Sequence, residues 1–518
     1  MRLMCVAVIA ALVLFSNPVV SRAQDVSLTS LEGSIELSGT LLGYDGEYYR
    51  LDTIYGELTV DGSGVSCQGP GCPTIEDFVA DVSVSGSASM AKVLMPALVE
   101  GFAQHNGYEA QRVEEDPTHF RYTLVDTRTR KTKAHIRFRS TNADEGFADL
   151  LANEADVVMS TRQINSVERA RALEAGMGDL TMPARARVLA LDAMVPIVSG
   201  QNPVREISPI FLARLFAGEI DNWLALGGPD APVNLHMAST DSGFGQSSEA
   251  KLLDFFGLQM SSMVVQHDHS TDLVAAVEAD PFAVGIASFA ENGSQPLALT
   301  GSCGRSLTAF RRSIKTKDYP LSAPLFLYTP ARRLPKVARE FLAFTLSQTA
   351  QLVIRRAGFV DQTLEEISND EQGERFLNAI TAAGSETPLL EIQRMAAVLA
   401  PLKRLTTTFR FDASSAELDA QSKSNVLKLA NALAQGRFDA RQVYFIGFSD
   451  GDGPAVRNKE VALDRAAGVR NAIKDATGAA NLDQVTLEID SFGEALPLAC
   501  DDTQWGRQAN RRVEIWVR

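Results

Sequence analysis

The chain has 518 residues, a formal net charge of −15, 45% hydrophobic and 7% aromatic residues. This length exceeds what one hydrophobic core supports and predicts about three or four domains. So acidic a chain is not expected to bind nucleic acid, whose phosphates attract basic surfaces.

The first 23 residues have the pattern of a secretory signal peptide. Arg2 supplies the positive start, residues 6–15 form a short apolar run, and residues 21–23 resemble a small-residue cleavage site. No later run reaches the roughly 18 apolar residues that a membrane helix needs. We therefore expect an exported, periplasmic protein with no transmembrane span in the mature chain.

Residues 24–75 are predicted to form a small β-rich module. Residues 34–39 alternate between apolar and polar, residues 43–46 have hairpin-turn composition, and residues 48–51 and 58–60 are typical of further strands. No chemical motif occurs in this module, which we interpret as a docking or spacer unit.

Four cysteines follow the predicted signal peptide. Cys67 and Cys72 flank a Gly/Pro loop, and we expect a disulfide between them in an oxidising compartment; metal binding by this pair is the alternative. Cys303 and Cys500 belong to different segments, and the pattern leaves their redox state open.

Residues 76–362 alternate between strand-like and helix-like segments, which predicts an α/β domain with a parallel sheet. The strand at 82–85 leads into a small-residue turn with Ser89 and Met90 before a helix. Backbone N–H groups in such a turn suit an anion, although an ordinary strand–helix turn is equally consistent.

Several motifs in this domain occur in a recognisable order. G-S-x-S, D-x-x-x-S-x-R, N-P-V, F-x-G-x-I-x-N-W, S-G and V-G-I-A-S resemble the phosphate-binding (PstS-like) solute receptors of ABC transporters. The resemblance implies a periplasmic-binding-protein type II fold, in which two lobes close around a cleft by hinge motion. It places the crossings between lobes near Val198 and residues 285–300. The anion-binding positions that it implies are Ser89, Met90, Thr141, Asn142, Ser160, Thr161, Arg162, Ser242 and Gly243.

The chain departs from the receptor pattern next to the S-G motif. The family's upstream arginine is replaced by Ala238, Ser239 and Thr240, and Phe244 stands where a threonine is usual. Loss of a guanidinium removes a bidentate, charge-assisted contact to an anion. Arg162 either supplies a replacement charge or is paired with an acid. Phosphate, another small anion or polar ligand, and a ligand-free scaffold therefore all remain open.

Residues 363–405 are predicted to form an acidic and helical linker, and residues 406–518 a βαβαββ domain. In this last domain Asp450 follows a strand-like apolar run, and Arg465 lies in the next helix. A carboxylate and a guanidinium facing one cleft suit a ligand group that carries both an amine and a carboxylate.

The last domain resembles the peptidoglycan-binding domain of the OmpA C-terminal family. The motif G-F-S-D-x-x-G stands in place of the usual G-H-T-D start, and R-A at 465–466 and N-R-R-V-E-I at 510–515 follow. The resemblance implies that Asp450 and Arg465 grip the diaminopimelate of the cell-wall peptide. By the same resemblance, Asn458, Asn510 and Arg511 belong to the binding groove.

The sequence contains none of the common catalytic motifs, so we expect no enzymatic activity, no cofactor and no metal site. His267 and His269 invite a metal interpretation, but no third ligand is near in sequence, and an exposed loop is favoured. The prediction is a solute-binding protein of the cell envelope, held on peptidoglycan at the outer membrane. An envelope protein or an ABC transporter is a further candidate partner. The alternative is a ligand-free scaffold tethered to peptidoglycan.

Overall fold

The computed structural model describes residues 25–74, 78–291, 293–381, 383–384, 386–411, 417–478 and 480–518. They divide into two compact units, with the boundary between Phe78 and Val79. The predicted signal peptide at residues 1–23 lies outside the described residues.

The first unit is a five-stranded antiparallel sheet in the order β4-β3-β2-β1-β5. Its strands are β1 (Asp25–Ser30), β2 (Glu36–Tyr44), β3 (Tyr48–Thr53), β4 (Gly56–Asp61) and β5 (Val65–Gln68). Alternating side chains such as Val26 and Leu28 enter its core. Cys67 and Cys72 form a disulfide that closes the loop after β5.

The second unit begins with a lobe of strands and helices. Its elements are β6 (Ala80–Ser87), α1 (Met95–Asn106), β7 (Tyr108–Glu114), β8 (His119–Asp126), β9 (Thr132–Thr141), α2 (Ala143–Leu151), β10 (Val157–Ser160) and α3 (Ser166–Glu174). Strands β6, β9 and β10 are parallel, as the sequence predicts, while β7, β8 and β9 follow one another as antiparallel neighbours. A short π-helical turn at Met90–Leu94 precedes α1. We call this part lobe 1.

The long strand β11 (Ala186–Val198) leads from lobe 1 into a second α/β region, lobe 2. Its elements are β12 (Glu206–Ile207), α4 (Pro209–Phe216), β13 (Asn234–Ala238), α5 (Gly243–Leu252), β14 (Val265–His267), α6 (Ser270–Ala279), β15 (Ala283–Ser288), β16 (Gln295–Pro296), β17 (Ala298–Thr300), β18 (Ser306–Leu307) and α7 (Arg311–Lys315). The strand β19 (Ser322–Tyr328) then returns to lobe 1, which α8 (Lys336–Phe344) and α9 (Gln348–Arg356) complete.

One sheet runs through both lobes in the order β14-β13-β15-β11-β19-β10-β6-β9-β8-β7, with β16 also paired to β11. β11 pairs with β19 over Ala186–Ala193 and then with β15 over Met194–Val198. The strands that join the lobes are therefore β11 and β19. The second crossing lies near Ser322, and the expectation of a crossing at residues 285–300 was wrong, because β15 is a strand within lobe 2.

The C-terminal part is a separate five-stranded sheet, in the order β20-β21-β24-β22-β23, with helices on both faces. Its elements are β20 (Glu366–Ile367), α10 (Gly373–Thr381), α11 (Leu389–Leu399), β21 (Lys403–Phe409), α12 (Ala420–Ala434), β22 (Gln442–Phe448), α13 (Ala455–Ala476), β23 (Thr486–Gly493), α14 (Gln504–Asn510) and β24 (Arg512–Val517). Helix α14 is an addition to the predicted βαβαββ order.

The two faces of the C-terminal sheet carry separate apolar cores. Helices α12 and α13 cover one face, where Leu429 and Val469 are buried against Phe445. Helix α11 covers the other, where Met395 is buried with Trp516. Helices α10 and α11 thus pack on the sheet, although their sequence lies within the predicted linker.

Candidate functional site

Asp450 lies directly beyond the end of β22, in the turn that leads to α13. Strand β22 pairs with β24 so that Phe448 faces Arg512, which brings Arg511 next to the turn. The Arg511 guanidinium donates to Oδ2 of Asp450 at 2.5 Å, and Asp450 is only 7% exposed. Strand register therefore creates this ion pair between residues 61 positions apart.

Arg465 projects from α13 towards the same place. Its guanidinium carbon lies 5.1 Å from the centre of the Phe411 ring, within cation–π range. Burial, and then the neighbouring Arg511, lower the pKa of Arg465. The Asp450 carboxylate offsets only part of this effect, so the pKa is lowered overall. Among the described residues Arg465 forms no hydrogen bond and no ion pair, so its donors are available to a ligand.

Asn458, on the first turns of α13, supports the Asp450 turn. Its amide nitrogen donates to the backbone oxygens of Asp450 and Gly453, at 3.2 and 3.3 Å, and to the Glu494 carboxylate at 2.7 Å. Because these bonds occupy its donors, Asn458 positions the turn.

Asn510 has a comparable role on the opposite side. Its carbonyl accepts from the backbone N–H groups of Leu498 and Ala499, at 2.7 and 3.1 Å. Its amide nitrogen donates to the Ala499 oxygen at 2.8 Å and to the Asp501 carboxylate at 2.7 Å. The side chain is fully buried, so Asn510 holds the preceding loop.

Three further residues, which the sequence analysis did not select, contact the side chains or the turn around Asp450 and Arg465. Phe411 supports Arg465, Glu494 accepts from Asn458, and the Asp501 carboxylate accepts from the backbone N–H of Gly451 at 3.0 Å. Burial raises the pKa of the Glu494 carboxyl. No local pattern marks these residues, because their partners are distant in sequence. We call Asp450, Asn458, Arg465, Asn510 and Arg511 the C-terminal cluster.

The anion-binding positions predicted from the receptor resemblance lie where the two lobes meet, and we call them the inter-lobe cluster. In lobe 1, the Ser89 hydroxyl is 2.9 Å from that of Ser87, and Met90 is completely buried at the start of the π-helical turn. The Thr141 hydroxyl donates to the Asn142 oxygen at 3.4 Å. Ser89 and Thr141 thus bring hydroxyl groups to the ends of β6 and β9.

Direct hydrogen bonds join the lobes at this cluster. The buried Thr161 hydroxyl donates to the backbone oxygen of Gly243 at 2.7 Å and lies 2.8 Å from the Ser247 hydroxyl. The Asn142 amide donates to the Asp241 oxygen at 3.3 Å. Polar groups that a ligand would use therefore already contact the opposite lobe.

The first turn of α5 approaches lobe 1 closely. The Ser242 hydroxyl caps the helix by accepting from the Gly245 N–H at 3.0 Å. A Cβ at Gly243 would lie 3.1 Å from the hydroxyl oxygens of both Ser87 and Thr161. A glycine here permits the contact between the lobes.

Arg162 is paired with two acids. The Ser160 hydroxyl donates to its backbone oxygen at 2.7 Å, and its guanidinium donates to Glu168 at 2.6 and 2.9 Å and to Asp144. Burial lowers the pKa of Arg162, but the bonds and charges of Glu168 and Asp144 outweigh burial, so the pKa is raised. Its positive charge is locally neutralised.

The histidines considered for metal binding lie at the edge of the sheet in lobe 2. His267 ends β14, and its Nε2 is 2.9 Å from Nδ1 of His236, while His269 precedes α6. Within the described ranges, no group of three or more His, Cys, Asp or Glu side chains is arranged to hold a metal ion.

The chain has two lobes on one sheet, joined by β11 and β19, and then a separate sheet that carries a carboxylate–guanidinium cluster. This arrangement is that of a binding protein with an OmpA-like domain. The family model of the PBP superfamily domain matches residues 74–349, and the OmpA family model matches residues 410–511. The chain belongs to the PBP superfamily domain family and carries a C-terminal OmpA domain. The predicted resemblances and fold class are confirmed, and both families consist of binding proteins and not of enzymes.

Individual relatives are distant. Protein SphX of Synechococcus elongatus is 26% identical over 228 residues, 42% of this chain and 65% of that protein. The phosphate-binding protein PstS of Borreliella burgdorferi is 23% identical over 247 residues, 46% of this chain and 82% of that protein. The crystal structure of an ABC-type phosphate transport receptor from Vibrio cholerae is 20% identical, with a TM-score of 0.42, over 54% of this chain and 99% of that one.

These domain types are typical of the cell envelope. In the part of the chain that the structure describes, no helix has both the length and the apolar character to cross a bilayer.

Proposed function

We propose that this protein is a periplasmic, peptidoglycan-anchored solute-binding protein. Its OmpA domain would bind the diaminopimelate of the cell wall through the C-terminal cluster, at the inner side of the outer membrane. Its two-lobed domain would bind phosphate or a related small anion. The observation that carries the proposal is Arg465, a guanidinium without a described partner, next to the Asp450 carboxylate.

The chemistry of the C-terminal cluster suits an amino-acid group. Arg465 has donors for a carboxylate, and Arg–carboxylate pairs are commonly bidentate. Asp450 uses Oδ2 for Arg511, while Oδ1 has no partner among the described residues and is available to an ammonium group. The free end of diaminopimelate carries both groups on one carbon, which fits this pair of side chains.

The hydroxyl groups of the inter-lobe cluster support anion binding. Ser87, which is bonded to Ser89, and Thr161 both lie close to Gly243, which follows Ser242 at the start of α5. Hydroxyl and backbone N–H donors bind anions without a net charge of their own. The name of the PstS relative, a phosphate-binding protein, makes phosphate the first ligand to test.

A ligand-free scaffold is the second candidate function, and two observations favour it. Arg162 is neutralised by Glu168 and Asp144, and Thr161 spends its hydroxyl on the opposite lobe. In this case the two-lobed domain would dock an envelope protein or a transporter.

Wall binding is tested by sedimentation of the chain with diaminopimelate-containing peptidoglycan. Asp450→Asn should weaken binding at least about tenfold, because it removes a charge-assisted contact. Asp464→Asn, which changes an exposed acid on the following helix α13, is the matched control. Equal binding by Asp450→Asn and the wild type would show that the site is wrongly assigned.

Solute binding is tested by calorimetric titration of the folded chain with phosphate, with sulfate as the control. Saturable heat with phosphate supports the receptor function. A folded sample without heat supports the scaffold, and the search then turns to protein partners.

A further inference from the structure

The loop at residues 498–502, here the Cys500 loop, is bonded to lobe 2. Cys500 forms a disulfide with Cys303, which lies between β17 and β18, although the two cysteines are 197 positions apart. The backbone N–H of Ser302 also donates to the Asp502 carboxylate at 3.0 Å. Cys500 is 3% exposed, so its side chain belongs to the interface between lobe 2 and the OmpA domain.

The same loop forms one side of the C-terminal cluster. Asp501 receives the N–H of Gly451, the residue that follows Asp450. Asn510, which precedes Arg511, binds the backbone of Leu498 and Ala499. Each member of the Asp450–Arg511 ion pair is therefore adjacent in sequence to a residue bonded to the Cys500 loop: Gly451 follows Asp450, and Asn510 precedes Arg511.

The OmpA domain also contacts the rest of the two-lobed domain. Arg404 donates twice to Asp318, at 2.7 and 3.0 Å, in a nearly fully buried pair next to the start of β19. Lys428 of α12 donates to Gln362, beyond α9 of lobe 1, at 2.6 Å. The OmpA domain therefore contacts lobe 1 at Gln362 and lobe 2 just before β19 at Asp318. A change in the angle between the lobes alters at least one of these two contacts.

We propose that the Cys303–Cys500 disulfide fixes the Cys500 loop and thereby holds Asp450 and Arg511 in their binding geometry. Lobe 2 thus becomes a positioning element of the peptidoglycan site, and the two binding domains are coupled. The inference rests on the proposed wall binding. It adds the pair Cys303 and Cys500 as residues that set the affinity for peptidoglycan, and Cys303 lies outside the residues that the OmpA family model matches.

The first test compares the wild-type chain with Cys303→Ser/Cys500→Ser in binding to soluble diaminopimelate-containing muropeptides. The double variant should bind about tenfold more weakly, since local order around Gly451 is lost. Cys67→Ser/Cys72→Ser, which removes the disulfide of the first unit, is the matched control and should bind as the wild type does. Treatment with a dithiol should reproduce the loss, and reoxidation should reverse it.

A second variant disturbs the contact between Cys500 and lobe 2 without replacing a cysteine. A Cβ at Gly301 would lie 2.6 Å from the Cys500 sulfur, so Gly301→Ala should displace the loop and lower affinity in the same direction. Unfolding measured in parallel separates this effect from a general loss of fold.

Amide hydrogen exchange gives a readout that does not depend on wall binding. The N–H groups of Gly451, Leu498 and Ala499 should exchange at least about tenfold faster in Cys303→Ser/Cys500→Ser. If the wild type binds muropeptides and the double variant binds equally well, the inference is overturned. If the wild type does not bind at all, the proposed function fails, and unchanged exchange at these amides overturns the positioning role as well.

Discussion

Arg162 of the inter-lobe cluster and Arg465 of the C-terminal cluster, where Arg511 is already paired with Asp450, differ in their surroundings. Arg162 is bonded to Glu168 and Asp144, while Arg465 rests on Phe411 and has no described acid partner. A paired guanidinium stabilises its own fold, whereas an unpaired one is available to a ligand. The comparison indicates that the Arg162 charge stabilises the fold, whereas the Arg465 charge is available to a ligand.

The two sites also differ in what surrounds their glycines. Gly447 lies inside one core, where a Cβ would be 2.0 Å from the Ala462 backbone oxygen, while Gly243 lies at the contact between the two lobes. Gly447→Ala should lower the free energy of unfolding by about 3 kcal/mol or more, because a backbone clash has no side-chain relief. Gly243→Ala should lower it by less than about 1 kcal/mol, since the Ser87 and Thr161 hydroxyls can rotate away. Chemical denaturation of both variants makes the measurement, and equal losses would show that the cleft is as rigid as a core.

A pH series tests the strand that joins the lobes. Burial raises the pKa of the Asp192 carboxyl on β11 to about 6, above its ordinary 3.8, although the Ser288 hydroxyl and backbone N–H groups offset part of this effect. The native state then holds a proton that the unfolded state releases, so the Asp192 contribution to stability falls as pH rises from about 4 to 6. The stability of Asp192→Asn relative to the wild type should rise across this window by on the order of 3 kcal/mol.

Urea denaturation at several pH values between 4 and 8 gives this difference. Asp483→Asn, at an exposed position, serves as the control. A flat difference for Asp192→Asn would mean that the buried carboxyl stays ionised throughout.

The arginine comparison itself predicts opposite results for two truncations. Arg465→Ala should weaken peptidoglycan binding by about ten- to a hundredfold, with little change in stability, because it breaks no described ion pair. Arg162→Ala should lower the free energy of unfolding by about 1–3 kcal/mol, because it leaves the largely buried Glu168 without its ion-pair partner, and should leave wall binding unchanged. Binding and denaturation are measured on both variants, with Arg470→Ala on α13 as the control. A large loss of stability in Arg465→Ala would contradict the comparison.

The smallest expected effect is a gain in the inter-lobe cluster. Asp144→Asn removes one acid from Arg162 and should raise phosphate affinity about two- to fivefold, because the pair is exposed and screened. Calorimetry at low and high salt tests this, with Glu145→Gln as the control. Unchanged affinity at low salt would mean that Arg162 does not act on the ligand.

Much of the fold was predictable from local pattern. The continuous apolar run at β11 and the strand before Asp450 identified buried strands, because their hydrophobic period does not depend on distant contacts. The additional layer formed by α10 and α11 could not be predicted, because the sequence of an amphipathic helix does not show which surface the helix covers. The positions of Asp450 and Arg465 followed from motif spacing, but the supporting roles of Glu494 and Asp501 did not.

By itself, the sequence determined the two families, the order of their elements and the positions of the charged residues, because these depend on short-range pattern. Only the tertiary structure decided which charges are paired and which cysteines are joined. Arg162 and Arg465 look equivalent in sequence, and they differ because Glu168 and Asp144 bond directly to Arg162, while Arg465 lies over the Phe411 ring. The Cys303–Cys500 disulfide likewise depends on how the OmpA domain docks on lobe 2, which no sequence period records.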